Sequence, residues 1–375
     1  MAGGSGARLW PASHNQLPKQ FLPLPNSENK GSFFNAAIER ALAVLDKKKD
    51  SRVIIIAGHS HIANIVKACD KHSDNEKKHL LLIPEPSAKS TAPAITCALK
   101  YIDWMSGQDR KVLVLTSDHI ITPLDRFIVD AEAAEQFTQA DRLAVFGIIP
   151  HGPETGYGYI ETEQLVSRKA EQPDIYKVAA FREKPDLKTA QEFLAAGNFF
   201  WNSGMFAFSS RFMLNEFRQN APDVLRPFEK LRAPDERSFK IERGLRILWE
   251  WLDLNQAYNE SPAISFDYAI AEKCTNTIMV QAGFNWLDVG SWDEYAALLE
   301  QSGLCRSEVY QIGSKNCFVD SEIPVALIGV EDLIIAVRLG KSGGPASILV
   351  SKKGQTQQVR DIVDQIKAND RKELL

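Results

Sequence analysis

The first twenty-two residues put three glycines, an arginine and a lysine in one short stretch: Gly3-Gly4-Ser5-Gly6-Ala7-Arg8-Leu9-Trp10-Pro11, then Pro18-Lys19-Gln20-Phe21-Leu22. Glycines let backbone N–H groups turn toward phosphate oxygens with no Cβ in the way. The two cations can neutralise charge that a transferring phosphoryl group cannot shed alone. The chemistry this points to is that of a nucleotide polyphosphate. No Gly-Lys-Ser/Thr follows, so the stretch is not a Walker loop. Arg8 and Pro11 stand where a dinucleotide-binding motif would open its helix.

Such a loop needs a scaffold. The runs Val53-Ile54-Ile55-Ile56-Ala57, Leu80-Leu81-Leu82-Ile83, Val112-Leu113-Val114-Leu115 and Leu143-Ala144-Val145-Phe146-Gly147 read as buried parallel strands. Between them Phe34, Ala37, Ile38, Ala41, Leu42 and Leu45 recur at helical spacing, as do Ile95, Ala98, Leu99, Ile102 and Met105. This alternation predicts a three-layer α/β sheet in the first half of the chain. Ligands in such sheets sit beyond the carboxyl ends of strands, where Glu85-Pro86 and Ser117-Asp118-His119 fall. The second half changes texture, with Gly156-Tyr157-Gly158-Tyr159-Ile160-Glu161, Phe181-Arg182-Glu183-Lys184-Pro185 and Phe200-Trp201-Asn202-Ser203-Gly204-Met205-Phe206. These suit a sugar-sized pocket: carboxylate, amide and backbone groups for hydroxyls, and Lys184 for a phosphate on the same ligand. After about residue 305 four short β-rich runs precede a helix with Val359, Ile362, Val363 and Ile366 on one face, which reads as a small appended domain. Gly340-Lys341-Ser342-Gly343-Gly344-Pro345 within it reads as a flexible turn, with a second phosphate loop as the alternative, and no internal repeat stands out.

The chain has 375 residues, 44% hydrophobic and 25% charged, as expected of a globular protein of roughly two domains. A net charge of -4 offers no global attraction to nucleic acid or acidic membranes, so a polyphosphate must be met by local cations. Cys69, Cys97, Cys274, Cys305 and Cys317 are odd in number and lack metal-ligand spacing, which suits a reducing, cytoplasmic setting. No apolar run has the length of a membrane span, and the start is no signal peptide.

The succession GGSGARLWP, PKQFL, EPSAKSTAPAI, SDH, GYGYIE, EKP, WNSGMF, SFDYAIAEK and WLDVGSW resembles the mannose-1-phosphate guanylyltransferases, within the nucleotide-sugar pyrophosphorylases. The resemblance runs unbroken over residues 2 to 300 and more loosely to 375. It implies an α/β fold: a Rossmann-like nucleotidyltransferase domain over 1–300, with a mixed, mainly parallel sheet between helices, and a small β-rich domain over 301–375 that ends in a helix. The implied reaction transfers GMP from GTP to α-D-mannose 1-phosphate with Mg²⁺, releasing pyrophosphate. A guanylyltransferase for another hexose 1-phosphate and a catalytically dead nucleotide-sugar-binding protein are the alternatives. A homodimer is the assembly expected, with neither nucleic acid nor membrane as partner. The tail stops about seventy residues after the catalytic motifs, so transferase activity is expected without the isomerase activity of longer fusions.

The resemblance also assigns residues. Arg8 and Lys19 would hold the triphosphate and the departing pyrophosphate, with the Gly3, Gly4 and Gly6 backbone beneath them. Asp118 and Asp288 match the metal-binding aspartates, while His119 reads as structural. Lys89, Ser90 and Thr91 would stand near the nucleotide. In the sugar pocket Glu183 and Asn202 would meet hydroxyls, Lys184 the phosphate, and Gly158 would allow close backbone approach. For Glu85 chemistry gives its own reason. A carboxylate can accept from guanine N1–H and the exocyclic amine, whereas uracil and thymine offer one donor flanked by repelling oxygens. Three departures stand out. Ala7 replaces a threonine, so one hydroxyl is missing from the loop. The family's central first strand should precede Gly3, where only Met1 and Ala2 stand, which implies either a start further upstream or a compromised site. Arg338 to Ser347 replaces a shorter turn and leaves the tail's packing open.

Overall fold

The computed structural model describes residues 1–3, 6–24, 31–45, 51–139, 141–302, 307–340 and 345–375. Gly4, Cys305 and Lys341–Gly344 of the predicted turn therefore lie outside the described residues. The chain divides into two compact units. The first gathers Met1–Gly3, Ala37–Thr116 and Ile121–Trp286; the second gathers Gly4–Ala36, Ser117–Ile120 and Leu287–Leu375.

In chain order the strands are β1 (Val53–Gly58), β2 (Leu80–Glu85), β3 (Lys111–Val114), β4 (His119–Thr122), β5 (Leu143–Ile148) and β6 (Gly158–Ser167). There follow β7 (Ile175–Glu183), β8 (Phe199–Ser209), β9 (Phe239–Glu242), β10 (Leu245–Leu248), β11 (Thr277–Gln281) and β12 (Asn285–Asp288). Among the described residues the first unit holds two main ladders, β1-β2-β10-β9 and β3-β8-β5-β11-β7-β6. The β-branched run of β1 pairs in parallel with the fully buried β2, from Val53↔Leu80 to Gly58↔Glu85. β5, also buried throughout, pairs in parallel with β11. β3 departs from its reading as a buried parallel strand. It runs antiparallel to β8, Val112 opposite Phe208, with Lys111 exposed. The reason is its neighbour: the eleven-residue β8 is β3's partner in the ladder, and β3 is the outer strand. β1 is likewise the outer strand of its own ladder. At these two outer strands the Met1 ammonium donates to Leu115 O at 2.8 Å and Ala2 N–H to Ile56 O at 2.8 Å.

Helices cover these ladders where apolar spacing and caps permit. Thr91–Ser106 buries Ala92, Ile95 and Leu99 and ends at Gly107, whose φ of 58° is a left-handed cap. Leu187–Ala196 starts from Asp186, which accepts from Thr189 N, and Ser210–Asn220 from Ser209, which accepts from Phe212 N. Phe266 anchors one core, its ring 4.6 Å from Phe206 and 6.0 Å from Phe217.

The second unit joins the glycine loop to the tail. Its core holds Leu9, Trp10, Phe33, Trp292, Tyr295 and Phe318, and Trp292 Nε1 donates to Trp10 O at 2.8 Å. The tail strands are β13 (Val309–Ile312), β14 (Phe318–Ser321), β15 (Val325–Ile328), β16 (Leu333–Arg338) and β17 (Ser347–Lys352). β13 pairs in parallel with β15, Val309 opposite Val325, and β14 with β16, Phe318 opposite Ile334. Both offsets are 16 residues, so the tail coils with a sixteen-residue turn. β16 and β17 pair from Leu333↔Lys352 to Arg338↔Ser347, so the ladder on both sides of the departing turn is intact.

Candidate functional site

The second unit lines a cavity with its loops. Gly6 has φ 60° and precedes the 3-10 turn Ala7–Leu9. A Cβ on Gly6 would lie 2.5 Å from Lys19 Cβ and 3.1 Å from its backbone nitrogen, so both conformation and crowding require glycine there. Leu9 is buried and Arg8 exposed, and Ser13 Oγ donates to the Gly6 carbonyl. Lys19 opens a second 3-10 turn and is only 6% exposed. Its ammonium donates to Asp118 Oδ2 at 3.1 Å and to Asp288 Oδ1 at 2.7 Å. Burial pulls the lysine pKa down, but the two carboxylates outweigh it and leave the pKa raised. Burial pushes the Asp118 carboxyl up, and Lys19 and His119 beside it bring it below its ordinary value.

Asp288 is held by the turn that follows it. Gly290 N–H donates to Asp288 O at 2.8 Å and to Glu294 Oε2 at 2.5 Å. Ser291 N–H donates to the same carboxylate at 2.8 Å and Ser291 Oγ accepts from Glu294 N at 3.4 Å, a capping box that starts helix Trp292–Ser302. His119 Nε2 stands 3.8 Å from Asp118 Oδ1 and 3.8 Å from Asp288 Oδ1. Ligand atoms of Asp118, His119 and Asp288 lie within 4.8 Å of one another. The lysine bonds one oxygen of each carboxylate, Asp118 Oδ2 and Asp288 Oδ1. A pair of carboxylate oxygens beside space for phosphate and water suits a hard divalent cation. Gly6, Ala7, Arg8, Lys19, Asp118 and Asp288 line a cavity of about 390 Å³, together with Arg360, Asp364 and Lys367 from the tail helix Val359–Ala368.

Glu85 ends β2 in the first unit. It is 8% exposed, and Tyr258 Oη donates to its Oε1 at 3.1 Å. Burial pushes the carboxyl up to about 7, against the lowering effect of Tyr258 and the chain's terminal ammonium. Gly3 lies beside it, where a Cβ would be 3.9 Å from Oε2. Lys89 and Thr91 are tied to the segment at 264–266: the Lys89 backbone O accepts from Ile264 N at 3.2 Å and the Thr91 side-chain Oγ1 from Phe266 N at 2.7 Å.

The same unit gathers the predicted sugar residues. Gly158 opens β6 opposite Glu183 on β7, and a Cβ there would lie 2.6 Å from Glu183 Oε2. Lys184 bonds Glu183 at 2.8 Å with 61% of its side chain exposed. Hydrogen bonding to Glu183 raises the lysine despite the burial that opposes it. Asn202 on β8 donates from Nδ2 to Asp267 Oδ1 at 2.8 Å and accepts from Gly204 N at 3.0 Å. Burial raises the Asp267 carboxyl, in part offset by Asn202.

Reading the sequence alone missed Tyr258, Asp267, Arg360, Asp364 and Lys367. Asp267 lies in the quoted SFDYAIAEK segment and went unassigned. Arg360, Asp364 and Lys367 recur at i, i+4 and i+7, a polar helical stripe overlooked beside the apolar one. Nothing local marks Tyr258 as the partner of Glu85, 173 residues away.

A nucleotidyl transferase family model matches residues 1–302, and a MannoseP isomerase/GMP-like beta-helix domain model matches residues 307–366. A mannose-1-phosphate guanylyltransferase of Klebsiella pneumoniae is 34% identical over 381 residues, spanning 100% of this chain and 74% of that protein. Its counterpart in Escherichia coli K12 is 33% identical over 384 residues with 100% and 74% covered. A crystal structure described as a mannose-1-phosphate geranyltransferase from Thermus thermophilus superposes with a TM-score of 0.74 at 26% identity, 98% of each chain covered. Among the described residues no helix is long and apolar enough to cross a membrane.

Proposed function

The chain belongs to the nucleotidyl transferase family, and from that premise we propose that it transfers GMP from GTP to α-D-mannose 1-phosphate, giving GDP-mannose and pyrophosphate. The observation that carries the reading is the Lys19 ammonium held between Asp118 and Asp288 in a cavity bordered by Gly6 and Arg8. A sugar phosphate is already a nucleophile at neutral pH, so the protein needs no general base. It must align the attacking oxygen with the α-phosphorus and stabilise the charge that moves to the leaving pyrophosphate. Arg8 and Lys19 do so for the outer phosphates. Glu85 accepts from the guanine N1–H and exocyclic amine. Glu183 and Asn202 bind sugar hydroxyls, and Lys184 binds the sugar phosphate. Asp118 and Asp288 would hold Mg²⁺, which supplies further neutralisation of phosphate charge when bound. The catalytic segment is taken as 1–300 and the β-rich tail as 301–375, acting in the cytoplasm, a setting that the free Cys69, Cys97, Cys274 and Cys317 favour.

The alternative is a protein that binds a nucleotide sugar without turning it over. Pyrophosphate release from GTP and mannose 1-phosphate decides between the two. Turnover supports the transferase. A folded chain that binds GDP-mannose yet releases no pyrophosphate supports the binding protein.

A further inference from the structure

The tail helix Val359–Ala368 presents two faces to the second unit. Val359 and Val363 are buried in the cluster that holds Leu9 and Trp10. Arg360, Asp364 and Lys367 line the cavity of Arg8 and Lys19. The charges in that cavity do not cancel locally. Lys19 is shared by Asp118 and Asp288, and Lys367 bonds Asp364 at 3.0 Å. Arg8 and Arg360 remain, with no hydrogen bond or ion pair to either guanidinium among the described residues. Two unpartnered guanidiniums bordering one cavity call for an anion carrying more than one charge. A guanidinium presents parallel N–H donors that match phosphate oxygens, which a lone ammonium does not.

We infer that Arg360 is a phosphate-binding residue: with Arg8 it grips the outer phosphates of the triphosphate and the pyrophosphate that leaves. The identity of the anion rests on the guanylyl-transfer reading above. The tail is then part of the nucleotide site and not only an appended β-coil. Arg360 is exposed on the helix surface, and the residues that dock the helix are its valines, so replacing it leaves the packing in place.

The test uses the full chain with Arg360→Met and Arg360→Lys, and titrates each with inorganic pyrophosphate by calorimetry. Loss of one charge-assisted contact should weaken pyrophosphate roughly tenfold in Arg360→Met, and Arg360→Lys should recover part of it. KM for GTP should rise by a similar factor while KM for mannose 1-phosphate and Tm stay at wild-type values. Equal pyrophosphate affinity in wild type and Arg360→Met overturns the inference, as does a wild type that binds no pyrophosphate. If the wild type turns over no nucleotide but still binds pyrophosphate through Arg360, the reaction reading fails and the phosphate assignment stands.

Discussion

Replacing Glu85 with glutamine keeps the shape of the side chain and removes its charge, so it isolates what the carboxylate does for the base. Glutamine offers one acceptor oxygen, and its amide donor would meet a guanine donor. A hydrogen bond to a charged group contributes about 1.5–3 kcal/mol, so kcat/KM for GTP should fall roughly 10- to 150-fold. Inosine triphosphate lacks the exocyclic amine. The wild type should therefore prefer GTP over it by the worth of one such bond, and Glu85→Gln should lose most of that preference. Burial raises the carboxyl from 4.5 to about 7, and the role proposed for it at guanine needs the ionised form. Accordingly, wild-type kcat/KM for GTP should climb between pH 6 and 8 with a midpoint near 7, relative to the glutamine variant. Stability should move the other way. The folded carboxyl titrates above the unfolded one, so its contribution is complete below 4.5 and is lost as pH rises through about 7. That difference amounts to about 3 kcal/mol, so urea denaturation should show Glu85→Gln gaining on wild type by up to that amount at pH 8. The assay is pyrophosphate release with saturating mannose 1-phosphate. An unchanged GTP-to-inosine-triphosphate ratio, with the same pH limb in both proteins, would refute the reasoning.

Lys19→Met leaves Asp118 and Asp288 without their shared ammonium, and kcat/KM for GTP should drop roughly 10²- to 10³-fold, read as pyrophosphate release. The depressed Asp118 carboxyl contributes stability that is present above its unfolded value and lost as pH falls through the folded one. The stability gap between wild type and Lys19→Met, measured with urea, should thus narrow in acid. Gly6→Ala places a Cβ 2.5 Å from Lys19 Cβ at φ 60°; the left-handed conformation alone costs about 1–2 kcal/mol, so a lower Tm should accompany a loss of activity. Lys184→Met should raise KM for mannose 1-phosphate roughly tenfold and leave KM for GTP unchanged, as initial-rate kinetics would show.

The sequence made much of this legible, for identifiable reasons. The apolar runs of β1, β2 and β5 are long enough to announce buried strands, and the motif loops carry residue types that few structural roles demand. Lys19 and the two aspartates were named without their geometry, because 99 and 269 residues separate them from the lysine and only the fold brings them within bonding distance. β3 misled because four apolar residues say that a strand is buried, not which way its neighbour runs. The sixteen-residue coil of the tail was invisible because each turn leaves only a four- to six-residue strand, and few positions repeat. The polar stripe of the tail helix was legible at i, i+4 and i+7, but a charged helical stripe is usually a solvated face.

The measurement that bears most directly on the central claim is pyrophosphate release by the purified chain with mannose 1-phosphate and Mg²⁺, comparing GTP with UTP, dTTP and ATP. Release with GTP well above the other three is the predicted result. A folded chain that releases pyrophosphate with none of them, or with a pyrimidine nucleotide in preference to GTP, would contradict guanylyl transfer and the role given to Glu85.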